Sequence, residues 1–222
     1  MLTPSTGSRI RILALIGSAS AIAAHFQERL WPVLLFKPLA TILIFTIAFT
    51  SWRVHKSAYA LAISIGLAFS LLGDVLLIWP AQYFVAGLAA FLLTHVCYFY
   101  AFKRDVRFPA RWWVWLVYLA MAAGLYLVLN PHLPMSLKLP VAVYAIALAT
   151  MASQAMGRAI LLSKSEASLA AIGALLFMLS DTLLALHRFH SPLPYSPLLI
   201  LTPYFLAQFC IAWSTRTPPA VN

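Results

Sequence analysis

The chain has 222 residues, of which 63% are apolar and only 9% are charged, and its mean hydropathy is +0.91. Soluble globular domains keep about a quarter of their residues charged. This composition therefore argues against a soluble enzyme, a disordered segment and a nucleic-acid-binding domain, and it predicts a membrane protein. The net charge of +10 fits the same interpretation, because the basic residues form short clusters between apolar runs, as in the cytoplasmic loops of polytopic proteins.

The apolar runs predict helices that cross a bilayer. A spanning helix needs about 20 mostly apolar residues, and charges and Pro-rich connectors give the boundaries. Transmembrane strands would alternate in polarity over about ten residues, whereas these runs are continuous and about twice that length. We therefore predict an all-α fold, a single polytopic membrane domain over residues 1–222 with eight transmembrane helices at 10–26, 33–51, 57–79, 82–102, 111–130, 137–157, 167–187 and 197–214.

The basic residues also predict the orientation of these spans. Eleven of the 15 Lys and Arg residues fall on the side that carries both termini, and four fall on the other side. The positive-inside rule therefore places both termini in the cytoplasm. An alternative concerns the first span, because its basic start and the small residues at 19–21 also fit a cleavable signal peptide, whose removal would leave seven spans.

A motif in the third span recurs in the seventh. It consists of Ile-Gly, seven residues, Asp, one residue and Leu-Leu, and it starts at Ile65 and again, 107 residues later, at Ile172. Because four spans separate the copies, the two halves would share one orientation, as in parallel transporter repeats. We therefore predict a duplicated four-helix unit, with repeats at 10–102 and 111–214.

The repeated motif carries two acidic residues, Asp74 and Asp181, inside apolar spans. Each would cost about 2.5–3.5 kcal/mol at the bilayer centre, so each needs a partner, water or a substrate. One interpretation is a structural hydrogen-bonded pair that joins the two halves. A functional polar cavity is favoured, because repeat-equivalent positions tend to meet at the pseudo-symmetry axis where sites form. Both residues should lie beyond the midplane, nearer the non-cytoplasmic face.

Other polar residues are predicted to share this cavity. His95 is the only histidine well inside a span, and helical spacing places it on one face with Gly87, Phe91 and either Tyr98 or Phe99. It could be structural, capped by a backbone carbonyl, or functional beside an Asp-bearing helix. Lys37 opens the second span on the non-cytoplasmic side, where it could snorkel to the interface or contact a phosphate. The candidate substrate-binding residues are Lys37, Ser70, Tyr98, Tyr144, Ser180, Tyr204 and Gln208.

Several other chemistries lack their motifs. The chain has no HExxH, no histidine triplet, no GxSxG elbow and no Gly-rich phosphate loop. Cys97 and Cys210 lie inside apolar segments without disulfide or metal-ligand spacing. We therefore predict no metal and no cofactor, and a carboxylate mechanism is the most economical choice.

These motifs together resemble the YhhN family of polytopic membrane proteins, whose animal relatives are lysoplasmalogenases. The resemblance runs from the second span to the eighth, in KPL at 37–39, FSLLGD at 69–74, FVAGL at 84–88, HVCY at 95–98, PVAVY at 140–144, GALLFMLSD at 173–181, and Tyr204 with Gln208. It implies an eight-helix protein, in a bacterial cell membrane, that hydrolyses the vinyl ether bond of a lysoplasmalogen to a fatty aldehyde and a glycerophospho-head-group. The implied partners are the lysophospholipid substrate and membrane lipids, with no nucleic acid.

This chemistry suits the candidate residues. Protonation of a vinyl ether at its β-carbon forms an oxocarbenium ion, which requires one proton donor and one anion. Asp74 and Asp181 could divide these roles, as the two carboxyl groups of glycosidases do, with His95 orienting one of them or a water molecule. The lipid chain would pass Phe69, Phe91 and Phe177, with its phosphate beside Lys37. The alternative is a small proton-coupled transporter or lipid flippase, favoured by the parallel repeat and by paired carboxyl groups that could relay protons.

Overall fold

The computed structural model describes residues 16–23 and 30–216, which are helical over most of their length and contain no strand. Residues 16–23 form the helical segment α1. The helices that follow are α2 (Leu30–His55), α3 (Ala58–Leu76), α4 (Pro80–Phe102), α5 (Trp112–Leu129), α6 (Met135–Leu162), α7 (Ser165–Phe189) and α8 (Ser196–Trp213), with a 3-10 turn at Asn130–His132. The predicted all-α class is confirmed.

Helices α2 to α8 correspond to the second to eighth predicted spans. Each of these seven helices is long and apolar enough to cross a membrane, so the chain is an integral multi-pass membrane protein. Most boundaries agree within a few residues, but α6 continues well past its predicted end and stops where Ser163 adopts a left-handed conformation with φ 49°. The first predicted span, 10–26, lies mostly outside the described residues.

Two glycines on α3 let α4 approach closely. A Cβ atom added at Gly73 would lie 2.7 Å from the ring of Phe91, and one added at Gly66 would lie 2.5 Å from the ring of Tyr98. The missing side chains therefore leave room for these aromatic rings against the backbone of α3. His95 lies on the same α4 face, as the helical spacing predicted, and all five residues are buried.

Equivalent contacts occur in the second half of the chain. Gly66 on α3 lies beside Cys97 on α4, and a Cβ atom added at this glycine would lie 3.2 Å from the cysteine Cβ. Gly173 on α7 lies beside Cys210 on α8 in the same way, at a corresponding distance of 3.1 Å. These matching contacts support the duplicated four-helix unit, which stays a prediction.

Candidate active site

Asp74 sits on α3 with its side chain only 1% exposed, and α2 and α8 surround it. Its Oδ2 accepts hydrogen bonds from the hydroxyl of Thr41 at 2.6 Å and from the phenol of Tyr204 at 2.7 Å. The ammonium of Lys37 lies 3.3 Å from its Oδ1 and also donates to the Asp74 carbonyl oxygen at 3.5 Å. A cation and two hydroxyl donors therefore stabilise the ionised carboxylate.

A hydrogen-bond chain extends from Asp74 into the protein. Because the hydrogen of Tyr204 goes to Asp74, the Ser70 hydroxyl donates to Tyr204 at 2.8 Å and accepts from the amide of Gln208. Tyr98 donates to the Gln208 carbonyl oxygen at 2.6 Å. The donors between Gln208 and the carboxylate all point toward Asp74, so each bond polarises the next.

Asp181 sits on α7 in different surroundings. Its side chain is 14% exposed, and its Oδ2 accepts a 2.5 Å hydrogen bond from the phenol of Tyr144 on α6. His95 Nε2 lies 2.9 Å from the Tyr144 oxygen and 3.6 Å from the carboxylate. Since the Tyr144 hydrogen goes to Asp181, the phenol oxygen accepts from an Nε2–H of His95. Nδ1 of this histidine is buried without a hydrogen-bond partner in the described part of the chain.

The two aspartates line one polar cavity of about 490 Å³. Helices α2, α3, α4, α7 and α8 contribute its walls. Its other polar lining residues are Lys37, Ser180, His187, Arg188, Ser196 and Tyr204. The Ser180 hydroxyl is already used, because it donates to the carbonyl oxygen of Ile200 at 2.8 Å.

A smaller apolar cavity of about 80 Å³ lies beside the polar one. Six residues line both cavities: Leu77, Phe84, Phe91, Asp181, Leu184 and Arg188. Tyr144 lines it, and Ala122 and Leu148 lie among its lining residues on α5 and α6. Asp181 and Arg188 are thus the charged residues that border both cavities.

The structure brings together six of the predicted site residues along the cavity walls: Lys37, Asp74, Tyr144, Ser180, Asp181 and Tyr204. The others support these residues from behind, because Ser70, Tyr98, Gln208 and His95 bond to Tyr204, to one another or to Tyr144 and do not line either cavity. Of the three phenylalanines expected along the lipid chain, Phe91 lines both of these cavities, and Phe69 and Phe177 line neither of the two.

Sequence reasoning missed Thr41, His187 and Arg188. Thr41 follows Lys37 by four residues, so helical spacing could have placed both on the Asp74 side of α2. His187 and Arg188 lie two turns beyond Asp181, but basic residues at the end of a span are common and gave no distinct signal. Within the described ranges, no group of three or more His, Cys, Asp or Glu side chains is placed to hold a metal ion.

Comparison with known sequences places this architecture in a family. The YhhN family profile matches residues 32–215, which include both aspartates and all the lining residues named above. The chain belongs to the YhhN family. Among YhhN relatives, lysoplasmalogenase TMEM86B from Homo sapiens is 38% identical over 169 residues, covering 76% of this chain and 70% of the human protein.

Two further relatives carry the same activity in their names. Lysoplasmalogenase TMEM86A from Homo sapiens is 34% identical over 181 residues, covering 80% of this YhhN chain and 74% of the human protein. A lysoplasmalogenase from Mycobacterium bovis is 38% identical over 131 residues, covering 55% and 48% of the two chains. No solved structure matches this chain.

Proposed function

We propose that this YhhN protein hydrolyses the vinyl ether bond of a lysoplasmalogen, releasing a fatty aldehyde and a glycerophospho-head-group. The observation that carries the proposal is that two carboxyl groups with unlike partners line one cavity, which joins an apolar one. The relatives named lysoplasmalogenase support the same reaction.

Asp181 is the proton donor in this proposal. Its direct hydrogen-bond donor is the neutral phenol of Tyr144, and its carboxyl group borders both cavities. A protonated Asp181 transfers its proton to the β-carbon of the vinyl ether, where a C–H bond forms from the π electrons. The double bond is lost, and the carbon bonded to oxygen becomes an oxocarbenium centre.

Asp74 is the anion that stabilises this cation. Its contacts with Lys37, Thr41 and Tyr204 favour the ionised form and fix the direction of the carboxylate, so little reorganisation is needed when positive charge develops. Water then adds to the oxocarbenium carbon, and its proton passes to the Asp181 carboxylate, which restores the acid. The resulting hemiacetal breaks its bond to the glycerol oxygen, which takes the hydroxyl proton, and the aldehyde is released.

The two cavities divide the substrate by polarity. The ether linkage and head group would lie in the polar cavity, and the hydrocarbon chain would enter the apolar cavity past Phe91 and Tyr144. Burial of a hydrocarbon chain stabilises the complex by roughly 0.8 kcal/mol per methylene. The vinyl ether, at the junction of head group and chain, would then lie beside Asp181.

Aldehyde release by the purified protein tests this function. Detergent-solubilised protein should convert a 1-alkenyl lysophospholipid to aldehyde and should leave the saturated 1-alkyl analogue intact, because only the vinyl ether can be protonated at carbon. Asp105→Asn serves as a matched control, since Asp105 pairs with Arg158 at 2.7 Å and does not line either cavity. Absence of aldehyde from folded wild-type protein would contradict the proposal.

We also propose that the polar cavity opens on the non-cytoplasmic side. The excess of basic residues on the side of the termini supports this orientation. Reporter fusions should give cytoplasmic signals after Arg53, Arg107 and Lys164, and signals from the opposite side near Gln82, His132 and Ser191. A well-expressed fusion on the wrong side would contradict the orientation.

A further inference from the structure

Two basic side chains at the end of α7, His187 and Arg188, line the polar cavity without a role in the chemistry above, and Arg188 also borders the apolar cavity. Arg188 is exposed, and its guanidinium lies 4.2 Å from the ring centroid of Phe84 on α4. One of its nitrogens donates to the carbonyl oxygen of Pro80 at 3.2 Å. This contact uses only part of a guanidinium that has five N–H donors. The Arg188 side chain is therefore fixed at the cavity wall and still has N–H groups that can donate to a ligand.

His187 presents a second donor. Its Nδ1 accepts a 2.9 Å hydrogen bond from the backbone N–H of Leu193. A backbone N–H can only donate, so Nδ1 carries no hydrogen, and the ring hydrogen is on Nε2. His187 lines the polar cavity beside Arg188, so we infer that its Nε2–H is a second hydrogen-bond donor for a ligand there.

The other cation of the cavity is already paired. Lys37 is 8% exposed, and its ammonium contacts the Asp74 carboxylate at 3.3 Å. Arg188 forms no ion pair with an acidic side chain among residues 16–23 and 30–216. An anion entering the cavity would therefore meet Arg188 as a cation whose charge is not balanced by a carboxylate.

The spacing along α7 matches the dimensions of a lysophospholipid. Arg188 follows Asp181 by seven residues, which places it about 10.5 Å farther along the helix and close to the same face. In a protein backbone, three consecutive bonds span about 3.8 Å. At the same length per bond, the seven bonds of the extended lipid from the vinyl β-carbon to phosphorus span about 9 Å. With the β-carbon at Asp181, the phosphate oxygens would reach Arg188.

We propose that Arg188 and His187 bind the phosphodiester of the lysolipid head group and set the substrate register against Asp181. This inference rests on the proposed function and names the part of the substrate that these residues recognise. A planar guanidinium suits a phosphate because it can donate two parallel hydrogen bonds to it.

Comparison of two vinyl ether substrates tests the site. One is a 1-alkenyl lysophospholipid, and the other is the matching 1-alkenyl glycerol without phosphate. Arg188→Met should raise KM for the phosphorylated substrate about tenfold and change kcat by less than about twofold, because the contact is equal in ground and transition states. KM for the uncharged substrate should not change.

A second variant tests His187. His187→Asn keeps an acceptor for the Leu193 N–H, but its amide N–H does not extend as far as the Nε2–H of histidine. It should raise KM for the phosphorylated substrate about threefold.

Arg104→Met is the matched control. Arg104 is also an exposed arginine near a helix end, with a 3.2 Å hydrogen bond to Tyr100 and its guanidinium over the same ring, but it does not line the cavities. It should leave both KM values unchanged. An equal effect of Arg188→Met on the two substrates, or a selective KM effect of Lys37→Met in its place, would overturn the assignment.

Binding experiments separate this inference from the catalytic one. The saturated 1-alkyl lysophospholipid cannot react, so its dissociation constant reports the site even if no vinyl ether is cleaved. Arg188→Met should weaken its binding about tenfold relative to wild type and Arg104→Met, whereas unchanged binding would overturn the proposal. Inorganic phosphate at the same concentrations should not compete with the lipid. If inorganic phosphate competed with the lipid for the wild-type protein but not for Arg188→Met, Arg188 would bind free phosphate, and the head-group assignment would be overturned.

Discussion

Asp74 and Asp181 are contacted from equivalent positions in the chain, but the side chains at those positions differ. Each aspartate is contacted by a residue 37 positions earlier, Lys37 on α2 for Asp74 and Tyr144 on α6 for Asp181. Each also has an aromatic partner from the last helix of the other half of the chain. Tyr204 on α8 contacts Asp74, and the ring of His95 on α4 lies near Asp181.

The difference between the two lies in charge and access. The position that holds an ammonium beside Asp74 holds a neutral phenol beside Asp181, and the side-chain exposures are 1% and 14%. Two aspartates that line the same cavity therefore differ: Asp74 is an ion-paired and almost fully buried carboxylate, and Asp181 is a more exposed carboxyl group with a neutral donor. Carboxyl groups in unlike environments can divide acid and anion roles.

The largest expected effect comes from Asp181. Asp181→Asn removes the proposed proton donor and should lower kcat by about 10³-fold, within the usual range of general acid catalysis. The measurement is aldehyde release at saturating substrate, with circular dichroism and gel filtration to verify folding. Asp181→Glu, which restores a carboxyl group, should recover part of the activity. Full activity of folded Asp181→Asn would remove the proposed acid.

Asp74 and its lysine should behave as one unit. Asp74→Asn and Lys37→Met should each lower kcat by about 10²-fold, and the double variant should be no slower than Asp74→Asn alone, because contacting residues are not additive. The unpaired charge left in each single variant should also lower the apparent melting temperature more than the double change does. Lys138→Met is the control, since Lys138 does not line either cavity.

The kinetic parameter that changes in Lys37→Met separates two roles. A lysine that holds Asp74 acts mainly on kcat, whereas the phosphate contact expected from the sequence would act mainly on KM. The 3.3 Å contact with Asp74 favours the first role. If Lys37→Met changed only KM, Lys37 would not be needed to hold Asp74 during the reaction, and the ion pair would not distinguish the role of Asp74 from that of Asp181.

A smaller effect is expected for the neutral donor beside Asp181. Tyr144→Phe removes its 2.5 Å hydrogen bond and should lower kcat about tenfold, as the loss of one buried hydrogen bond of roughly 1–3 kcal/mol would do. His95 acts through Tyr144, so His95→Gln should have little further effect in the Tyr144→Phe background. Additive losses in this cycle would place His95 in direct contact with the reacting groups.

The smallest effect concerns the apolar cavity on the Asp181 side. Ala122→Leu adds volume at its α5 wall and should reduce kcat/KM for long-chain substrates a few-fold more than for short-chain substrates. Gly124→Leu is the matched control on α5, because a Cβ at Gly124 would have no atom within 4 Å beyond its chain neighbours and the nearby backbone of its own helix. Equal losses for all chain lengths would mean that the chain does not occupy this cavity.

Hydropathy predicted most of the fold because spanning a bilayer is a local property of the chain. A run of about 20 apolar residues must form its hydrogen bonds within itself, which requires a helix. Seven predicted spans therefore correspond to helices, and only α6 extends well past its predicted end. The two aspartates were recognisable for the same reason, since an acidic side chain inside such a run is costly wherever its partners lie.

The partners of the aspartates were harder to predict. Tyr204 and Asp74 are 130 positions apart, yet their oxygens lie 2.7 Å from each other. The sequence predicts that Gln208 binds substrate, but in the structure it lies behind Ser70 and does not line the polar cavity. Residue type and helical spacing place a side chain on a face of its own helix, but they do not say which helix packs against that face.

The sequence by itself therefore determined the all-α class, the spans and the family, together with the two carboxyl groups that require partners inside the membrane. Tertiary structure alone decided that Lys37 pairs with Asp74, that Tyr144 donates to Asp181, and that Arg188 lies on the same cavity wall. The physical reason is range. Hydrophobic burial acts on every residue of a span, whereas a hydrogen bond or ion pair forms only within about 3–4 Å, a distance set by the packing of helices from distant parts of the chain.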